Sequence, residues 1–276
     1  MKTTRLAGYA LADKPNRASS LARLVINSSR LQSWKEMRGE HMFGDPVTLH
    51  VFPESGGLNP SPFCLKVETY CRMAGVSFNS IPTLPFRAPR GKLPFMSDGK
   101  ARIPDSGLMI AYLQQHYGDP LDQDLNAEQK ALGHLIRRCC EESLYFVLLY
   151  HRWIDPDGWK IIKPTFFGSM PFILRDVVAS LARRGVRRAL HDQGYGRHTP
   201  PEVLALGAAD LSAIALMLAT RDFVVAEHPT SYDATLYAFL ANILRAPLND
   251  ALKDSVQQHA NLVAYVDRID WVLSRA

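Results

Sequence analysis

The stretch of sequence that decides the fold is residues 59–67, Asn-Pro-Ser-Pro-Phe-Cys-Leu-Lys-Val, together with residues 91–95, Gly-Lys-Leu-Pro-Phe. Residues 47–52 alternate between apolar and polar side chains, which predicts a strand just before the first stretch. A hairpin is predicted around the Asp-Gly turn at residues 98–99, and a helix is predicted to start after residue 105. Together with a helix and a second strand between residues 61 and 82, these elements make up a βαβ unit followed by a ββ hairpin and a helix.

The first helix is predicted to begin at Ser61 and to run to about Ala74. Serine is a favoured N-cap, and Pro62 suits the first helical position because its missing N–H needs no partner there. A second strand is expected at Val76–Pro82. This helix start brings a hydroxyl, Ser61, and a thiol, Cys64, to the positive end of a helix, where a thiolate or another anion is stabilised.

The order of these motifs resembles the thioredoxin-like N-terminal domain of glutathione transferases. Within that superfamily, the sequence Ser-Pro-Phe-Cys-Leu-Lys-Val-Glu at residues 61–68 is most similar to the metaxin and failed axon connections branch. The resemblance covers residues 47 to about 117, and the rest of the chain matches more loosely. It implies a fold of the α/β plus all-α class, a thioredoxin-like domain followed by a helical glutathione transferase C-terminal domain.

The resemblance also implies which residues contact glutathione. Leu93 would pair its backbone with the cysteinyl residue, and Pro94 after it would be a cis proline. Asp105 and Ser106 would hold the γ-glutamyl group. Two further members complete the implied set: Lys92, which would reach the glycyl carboxylate, and Ser61, which occupies the thiol-activating position.

Each of these residues also has a structural explanation. As an N-cap, Ser61 stabilises the helix by about 1 kcal/mol whether or not it takes part in catalysis. Asp105 fits both roles, because a capping carboxylate also accepts a charge-assisted bond from an amine. Pro94 shapes the chain in either case, and Lys92 fits a solvated loop equally well. In the functional interpretation, the Ser61 hydroxyl and the helix dipole lower the pKa of a bound thiol from roughly 8.5 toward neutrality, which produces the nucleophile.

Cys64 occupies the position of the second cysteine in a glutaredoxin-like Cys-Pro-Phe-Cys motif. Because Ser61 replaces the first cysteine, a dithiol cycle within the motif is not available. Cys64 therefore has two interpretations, a second reactive thiol or a small buried apolar residue, and free cysteine is often buried.

Composition and charge exclude several classes of protein. The 276 residues are 47% hydrophobic and 21% charged, as in an ordinary globular protein. The four cysteines have neither metal-ligand nor disulfide spacing, so a reducing compartment and a cytoplasmic location are expected. The formal net charge of +5 comes from residues 1–40, so the body lacks the basic surface of a nucleic-acid-binding domain.

Residues 1–45 are predicted to be a basic, disordered extension that is dispensable for folding. Their Ser, Ala and Arg content and few acids also fit an organellar transit peptide at residues 1–41, which leaves an organellar location as the alternative.

The rest of the chain divides into a thioredoxin-like domain at residues 46–118 and an all-helical domain at residues 126–276. Predicted helices share an apolar periodicity, and they lie at residues 126–153, 170–191 and 201–220, with another opened by the capping box of Thr230 and Asp233. No apolar run reaches the length of a transmembrane segment.

Three aromatic residues of the helical domain are candidates to line a pocket for an electrophile, if the family layout holds: Tyr145, Tyr150 and Trp153. Aromatic residues at such positions more often pack in a core. The nine histidines show no ligand spacing, so no metal site is expected.

The predicted function is that of a glutathione transferase, in which the thiolate of glutathione attacks a small hydrophobic electrophile. The partners are glutathione, as co-substrate, and a hydrophobic small molecule, and a homodimer is also expected. The alternative is a non-catalytic interaction protein with the same fold, because the metaxin and failed axon connections branch includes members with import or developmental roles. A monothiol reductase using Cys64 is a third possibility.

Overall fold

The computed structural model describes residues 45–168 and 170–275. The extension predicted at residues 1–45 therefore lies outside the described residues, apart from Asp45.

A four-stranded mixed sheet forms the N-terminal domain. Its strands are β1 (Val47–Val51), β2 (Phe78–Pro82), β3 (Phe95–Asp98) and β4 (Ala101–Pro104). They lie in the order β2-β1-β3-β4, with β1 parallel to β2 and antiparallel to β3, and with β3 antiparallel to β4. The predicted βαβ unit and the hairpin are confirmed, so this domain is thioredoxin-like.

Two helices belong to this sheet, α1 (Pro62–Ala74) and α2 (Ser106–Tyr117). The predicted starts of both helices are confirmed. Leu108, in the first turn of α2, is 48% exposed. The buried side chains instead follow the spacing i, i+3, i+4, i+7, and they are Ser106, Met109, Ile110 and Leu113.

The remaining described chain is helical. Its helices are α3 (Ala127–Cys139), α4 (Tyr145–Leu149), α5 (Pro156–Phe167), α6 (Phe172–Gln193), α7 (Pro200–Leu218), α8 (Ser231–Leu244), α9 (Ala251–Gln257) and α10 (Ala260–Leu273). A π-helical turn at Cys140–Leu144 joins α3 to α4, and a second at Tyr150–Ile154 continues the same helical path beyond α4. That path matches the single helix predicted for residues 126–153, whereas α5 and α9 were not predicted.

Helix α8 lies at the centre and packs along α1, which joins the two domains. The predicted capping box is present, because Thr230 N–H and Oγ1 both donate to the Asp233 carboxylate, at 2.8 and 2.6 Å. The same carboxylate accepts a bond of 2.9 Å from the Tyr265 hydroxyl. Burial raises the pKa of Asp233 to about 6. The start of α8 is thus tied to α10 inside the core.

Helix α7 is long and apolar enough to cross a membrane, by length and composition alone. Two charged residues, Glu202 and Asp210, interrupt the apolar residues of α7, so the sequence shows no continuous apolar run of that length. One third of the most apolar stretch of α7 is buried, and its buried side packs on α9 and on the first π turn as a layer of the helical domain.

Candidate active site

The sheet register brings the predicted glutathione-binding segments to one end of the sheet. Phe95 pairs with His50 in β1 and with Pro104 in β4. The segment before Phe95, the segment after Pro104 and the loop that leaves the end of β1 therefore emerge at the same edge. These are the segments that carry Leu93 and Pro94, Asp105 and Ser106, and Ser61. The sequence analysis predicted all of these residues at the site, and the fold brings the segments that carry them to one end of the sheet.

Ser61 caps α1 as predicted. Its Oγ accepts the N–H of Cys64 at 3.4 Å, and its own N–H donates to the Asn59 Oδ1 at 3.2 Å. A serine hydroxyl that accepts one bond still has its own proton to donate. The hydroxyl is buried at the positive end of a helix of 13 residues, where a negative sulfur is favoured.

Cys64 is completely buried one turn into α1. Burial raises the pKa of its thiol to about 12, although the nearby Ser61 hydroxyl acts in the opposite direction. A thiol with this pKa stays protonated at neutral pH, and the thiolate is the reactive form. The structure therefore argues against the second-thiol interpretation of Cys64 and favours the small buried residue.

The peptide bond between Leu93 and Pro94 is cis, in agreement with the resemblance. Leu93 and Pro94 are buried, whereas Lys92 beside them is exposed. The exposed lysine is compatible both with a contact to a bound carboxylate and with a solvated loop residue.

Asp105 begins α2 with an unusual backbone conformation for a residue with a side chain, φ +71°. Its Oδ1 accepts the N–H groups of Gly107 at 2.9 Å and Leu108 at 3.3 Å, so it is an N-cap. The residue is exposed, and the next residue, Ser106, is buried. An exposed carboxylate thus stands beside a buried hydroxyl at this helix start.

Sequence reasoning missed an ion pair behind Ser106. The Lys66 ammonium is only 1% exposed, lies 2.5 Å from the Glu141 Oε1 and donates to the Ser106 Oγ at 3.4 Å. Burial lowers the pKa of Lys66, and the Glu141 carboxylate opposes that effect. The sequence signal for this pair is a lysine in a helix whose neighbouring residues are buried. Its partner, Glu141, is 75 residues away along the chain.

A buried arginine fixes the loop before α1 to the helical domain. The Arg152 guanidinium donates to the carbonyl oxygens of Pro60 and Asn242, both at 2.7 Å, and to the Asn242 Oδ1 at 3.0 Å. The Asn242 amide in turn donates to the Asn59 carbonyl oxygen at 3.2 Å. Burial lowers the pKa of Arg152 to about 10, so it remains charged at neutral pH.

The three aromatic residues predicted to line a pocket lie along α4 and the second π turn. The Tyr145 ring packs against Phe63 at a centroid distance of 4.8 Å, and Trp153 belongs to a separate apolar cluster with Trp159, 5.5 Å away. Tyr150 is buried. Rings of this size fill the space between helices, and the role of these residues in lining a pocket stays a prediction.

A small cleft lies beside Pro60, the residue before Ser61. Its walls come from the β1–α1 loop, from α5 and from the chain after α8. The apolar part of the lining includes Leu58, Pro60, Ile161 and Ile162, and the polar part includes Arg152 and Asn242. No group of three or more potential metal ligands was found among residues 45–168 and 170–275.

Comparison with known proteins identifies the family. The glutathione S-transferase N-terminal domain model matches residues 62–158, and the glutathione S-transferase C-terminal domain model matches residues 207–269. Isoprene-epoxide–glutathione S-transferase of Rhodococcus sp. strain AD45 is 30% identical over 238 residues, which cover 81% of this chain and 97% of that protein.

Two further similarities complete the comparison. Failed axon connections of Drosophila melanogaster is 27% identical over 76% of this chain and 53% of its own length, and metaxins also match. The beta-etherase LigF of Sphingobium sp. strain SYK-6 shares the fold, with a TM-score of 0.60, 14% identity, and coverage of 84% of this chain and all of that one. The chain belongs to the glutathione S-transferase superfamily, near its metaxin and failed axon connections members.

Proposed function

We propose that the protein binds glutathione and that the glutathione thiolate attacks a small hydrophobic electrophile, so that the whole tripeptide is joined to it through sulfur. The observation that carries the proposal is the meeting at one sheet edge of the Ser61 N-cap, the cis Leu93–Pro94 bond and the Asp105–Ser106 helix start. Membership of the glutathione S-transferase superfamily supports it.

Each residue has a distinct part in binding. The buried backbone at Leu93 pairs with the cysteinyl residue, and the exposed Asp105 carboxylate accepts a charge-assisted bond from the γ-glutamyl ammonium. Ser106 donates its hydroxyl to the γ-glutamyl carboxylate, and Lys92 approaches the glycyl carboxylate from the solvent side.

Ser61 activates the thiol. Its hydroxyl proton donates to the bound sulfur, and the N-terminus of α1 adds a positive potential. Both effects favour the thiolate, so the pKa of the bound thiol falls toward neutrality. Among the chain's own cysteines, Cys64 is too deeply buried to compete for this role.

An epoxide is the electrophile class to try first, because one relative is named isoprene-epoxide–glutathione S-transferase. The thiolate sulfur forms a bond to one ring carbon, the bond from that carbon to oxygen breaks, and the alkoxide takes a proton from water. The cleft beside Pro60 offers apolar contacts at Leu58, Ile161 and Ile162 near the start of α1. A reducing, cytoplasmic location fits a reaction that needs glutathione as a free thiol.

Calorimetry with millimolar glutathione tests the proposal, and we expect measurable heat of binding. The bound thiolate should also add an ultraviolet absorbance that Ser61→Ala loses and Cys64→Ser keeps. Loss of free thiol on addition of a small epoxide then tests the transfer itself. A folded protein that gives no heat with glutathione contradicts the proposal.

A non-catalytic interaction protein is the second candidate, and one observation favours it. Helix α6 turns a row of large apolar side chains to solvent, with Leu174, Val177 and Leu181 each more than half exposed. Residues 159–206, which include α6, lie between the two segments that the family models match. Under this alternative, glutathione does not bind. Substitution of Leu181 by Asp then leaves the fold intact and abolishes the interaction that the protein makes in the cell.

A further inference from the structure

The buried ammonium of Lys66 lies directly behind the α2 start. It bridges Ser106 of α2 and Glu141 of the first π turn, at 3.4 and 2.5 Å. A buried ion pair is weak evidence for stability, because two apolar residues of similar volume often pack as well or better. The position of Lys66 behind Ser106 therefore points to a role at the start of α2.

The donor chemistry of Lys66 determines how the Ser106 hydroxyl is used. A lysine ammonium has three donors and no acceptor. The Ser106 Oγ must therefore accept from Lys66, and its own proton cannot point back at the ammonium. That proton is directed away from Lys66, and it can be donated to an acceptor at the α2 start.

The charges around this point form a pattern that suits a zwitterion. The Asp105 carboxylate caps α2, and the Lys66 ammonium and the Arg137 guanidinium both reach the start of this helix. The Arg137 Nη1 would be 3.8 Å from a Cβ added to Gly107, so it reaches the first turn of α2. Glu141 lies between the two cations, 4.0 Å from the Arg137 Nε.

We infer that Lys66 is a positioning residue for the γ-glutamyl group, because it holds the Ser106 hydroxyl as a donor to the γ-glutamyl carboxylate. The inference rests on the proposed function. Glu141 fixes the ammonium from the helical domain, so correct docking of the two domains becomes a condition for γ-glutamyl recognition. No direct contact between Lys66 and glutathione is required.

Comparison of two ligands in calorimetry separates this role from simple structural support. Glutathione carries the γ-glutamyl group, and the dipeptide Cys-Gly lacks it. We expect Lys66→Met to weaken glutathione binding about tenfold, as for one hydrogen bond to a charged group, with Cys-Gly binding unchanged. Added to Ser106→Ala, the same substitution should have no further effect. Lys100→Met, at an exposed lysine of the β3–β4 turn, is the matched control.

Loss of Lys66 alone leaves Glu141 buried without its partner, and the single variant is at risk of not folding. The double variant Lys66→Met with Glu141→Gln removes both charges, and we expect it to fold and to show the same tenfold selective loss. If either folded variant keeps the wild-type ratio of glutathione to Cys-Gly affinity, the inference is wrong while the proposed function stands. If the wild-type protein binds neither ligand, the proposed function fails and the inference fails with it.

Discussion

Two helices begin at the same end of the sheet, and their starting points are held in opposite ways. The start of α1 is buried, and its loop is bonded to Arg152 and Asn242 of the helical domain. The start of α2 is exposed at Asp105, whose carboxylate caps the helix through bonds to Gly107 and Leu108, its near neighbours. The difference indicates that losing the contacts that hold the loop before Ser61 costs the most stability, whereas we expect changes at Asp105 to affect glutathione binding more than the fold.

Substitution of Arg152 should have the largest effect. Arg152→Met keeps most of the side-chain volume but removes the donors to the Pro60 and Asn242 carbonyl oxygens and to the Asn242 amide oxygen. Each buried acceptor left without a donor costs about 1–3 kcal/mol, so we expect a loss of about 3 kcal/mol or more in the free energy of unfolding. Urea denaturation measures it.

Arg245→Met is the matched control for that experiment. Arg245 is 43% exposed and pairs with Asp267 and Asp270, and such surface pairs contribute about 0–1 kcal/mol. Equal losses in the two variants would show that the loop before α1 does not depend on the helical domain.

Glu68 should make the α1 start sensitive to pH. Burial raises the pKa of Glu68 to about 7, with Glu54 acting in the same direction and Arg72 in the opposite direction. Its Oε1 accepts from the Ser80 hydroxyl at 3.2 Å and from the Asn59 amide at 3.4 Å. Asn59 also accepts the Ser61 N–H, so Glu68 is connected through Asn59 to the residue proposed to activate the thiol.

The sign of this effect follows from the raised pKa. The folded state holds the Glu68 proton more tightly than the unfolded state, so its contribution to stability is complete below about pH 4.5 and is lost as pH rises through about 7. We expect Glu68→Gln to remove up to about 3 kcal/mol of this dependence. Urea denaturation from pH 4.5 to 8 measures it, and parallel curves for the two proteins would show that Glu68 does not titrate in this range.

The strands, turns and helix starts were predicted correctly because the sequence signals for them are local. A serine before a proline, an Asp-Gly turn and a capping box each act within a few residues, and the structure confirms all three. The contacts of Arg152 with Pro60 and of Lys66 with Glu141 span 92 and 75 residues, so no local periodicity encodes them. Helix α5 was missed because Pro164 interrupts its pattern, although Asp155 caps it in the usual way.

Ser61→Ala should lower stability by about 1 kcal/mol, the usual value of an N-cap. Its effect on chemistry should be larger, because the donor to the bound thiolate is lost: we expect a raised pKa for bound glutathione, measured by ultraviolet absorbance against pH. Cys64→Ser is the control, and it should leave that pKa unchanged. A lower thiolate signal in Cys64→Ser than in Ser61→Ala would reverse the two assignments.

Asp105→Gly should show the smallest change in stability together with a clear change in binding. The φ of +71° at Asp105 is a conformation that glycine adopts readily, and glycine is also a tolerated N-cap. Asp105→Gly should therefore cost only a few tenths of a kcal/mol, whereas Asp105→Ala should cost about 1 kcal/mol or more because it loses the cap and keeps the strain. Both variants lose the carboxylate that accepts the γ-glutamyl ammonium, so both should weaken glutathione binding to the same extent. Calorimetry measures the affinity for glutathione, and urea denaturation measures the stability. If the affinities follow the stabilities, so that Asp105→Gly binds glutathione nearly as well as the wild type, then Asp105 acts only as a helix cap.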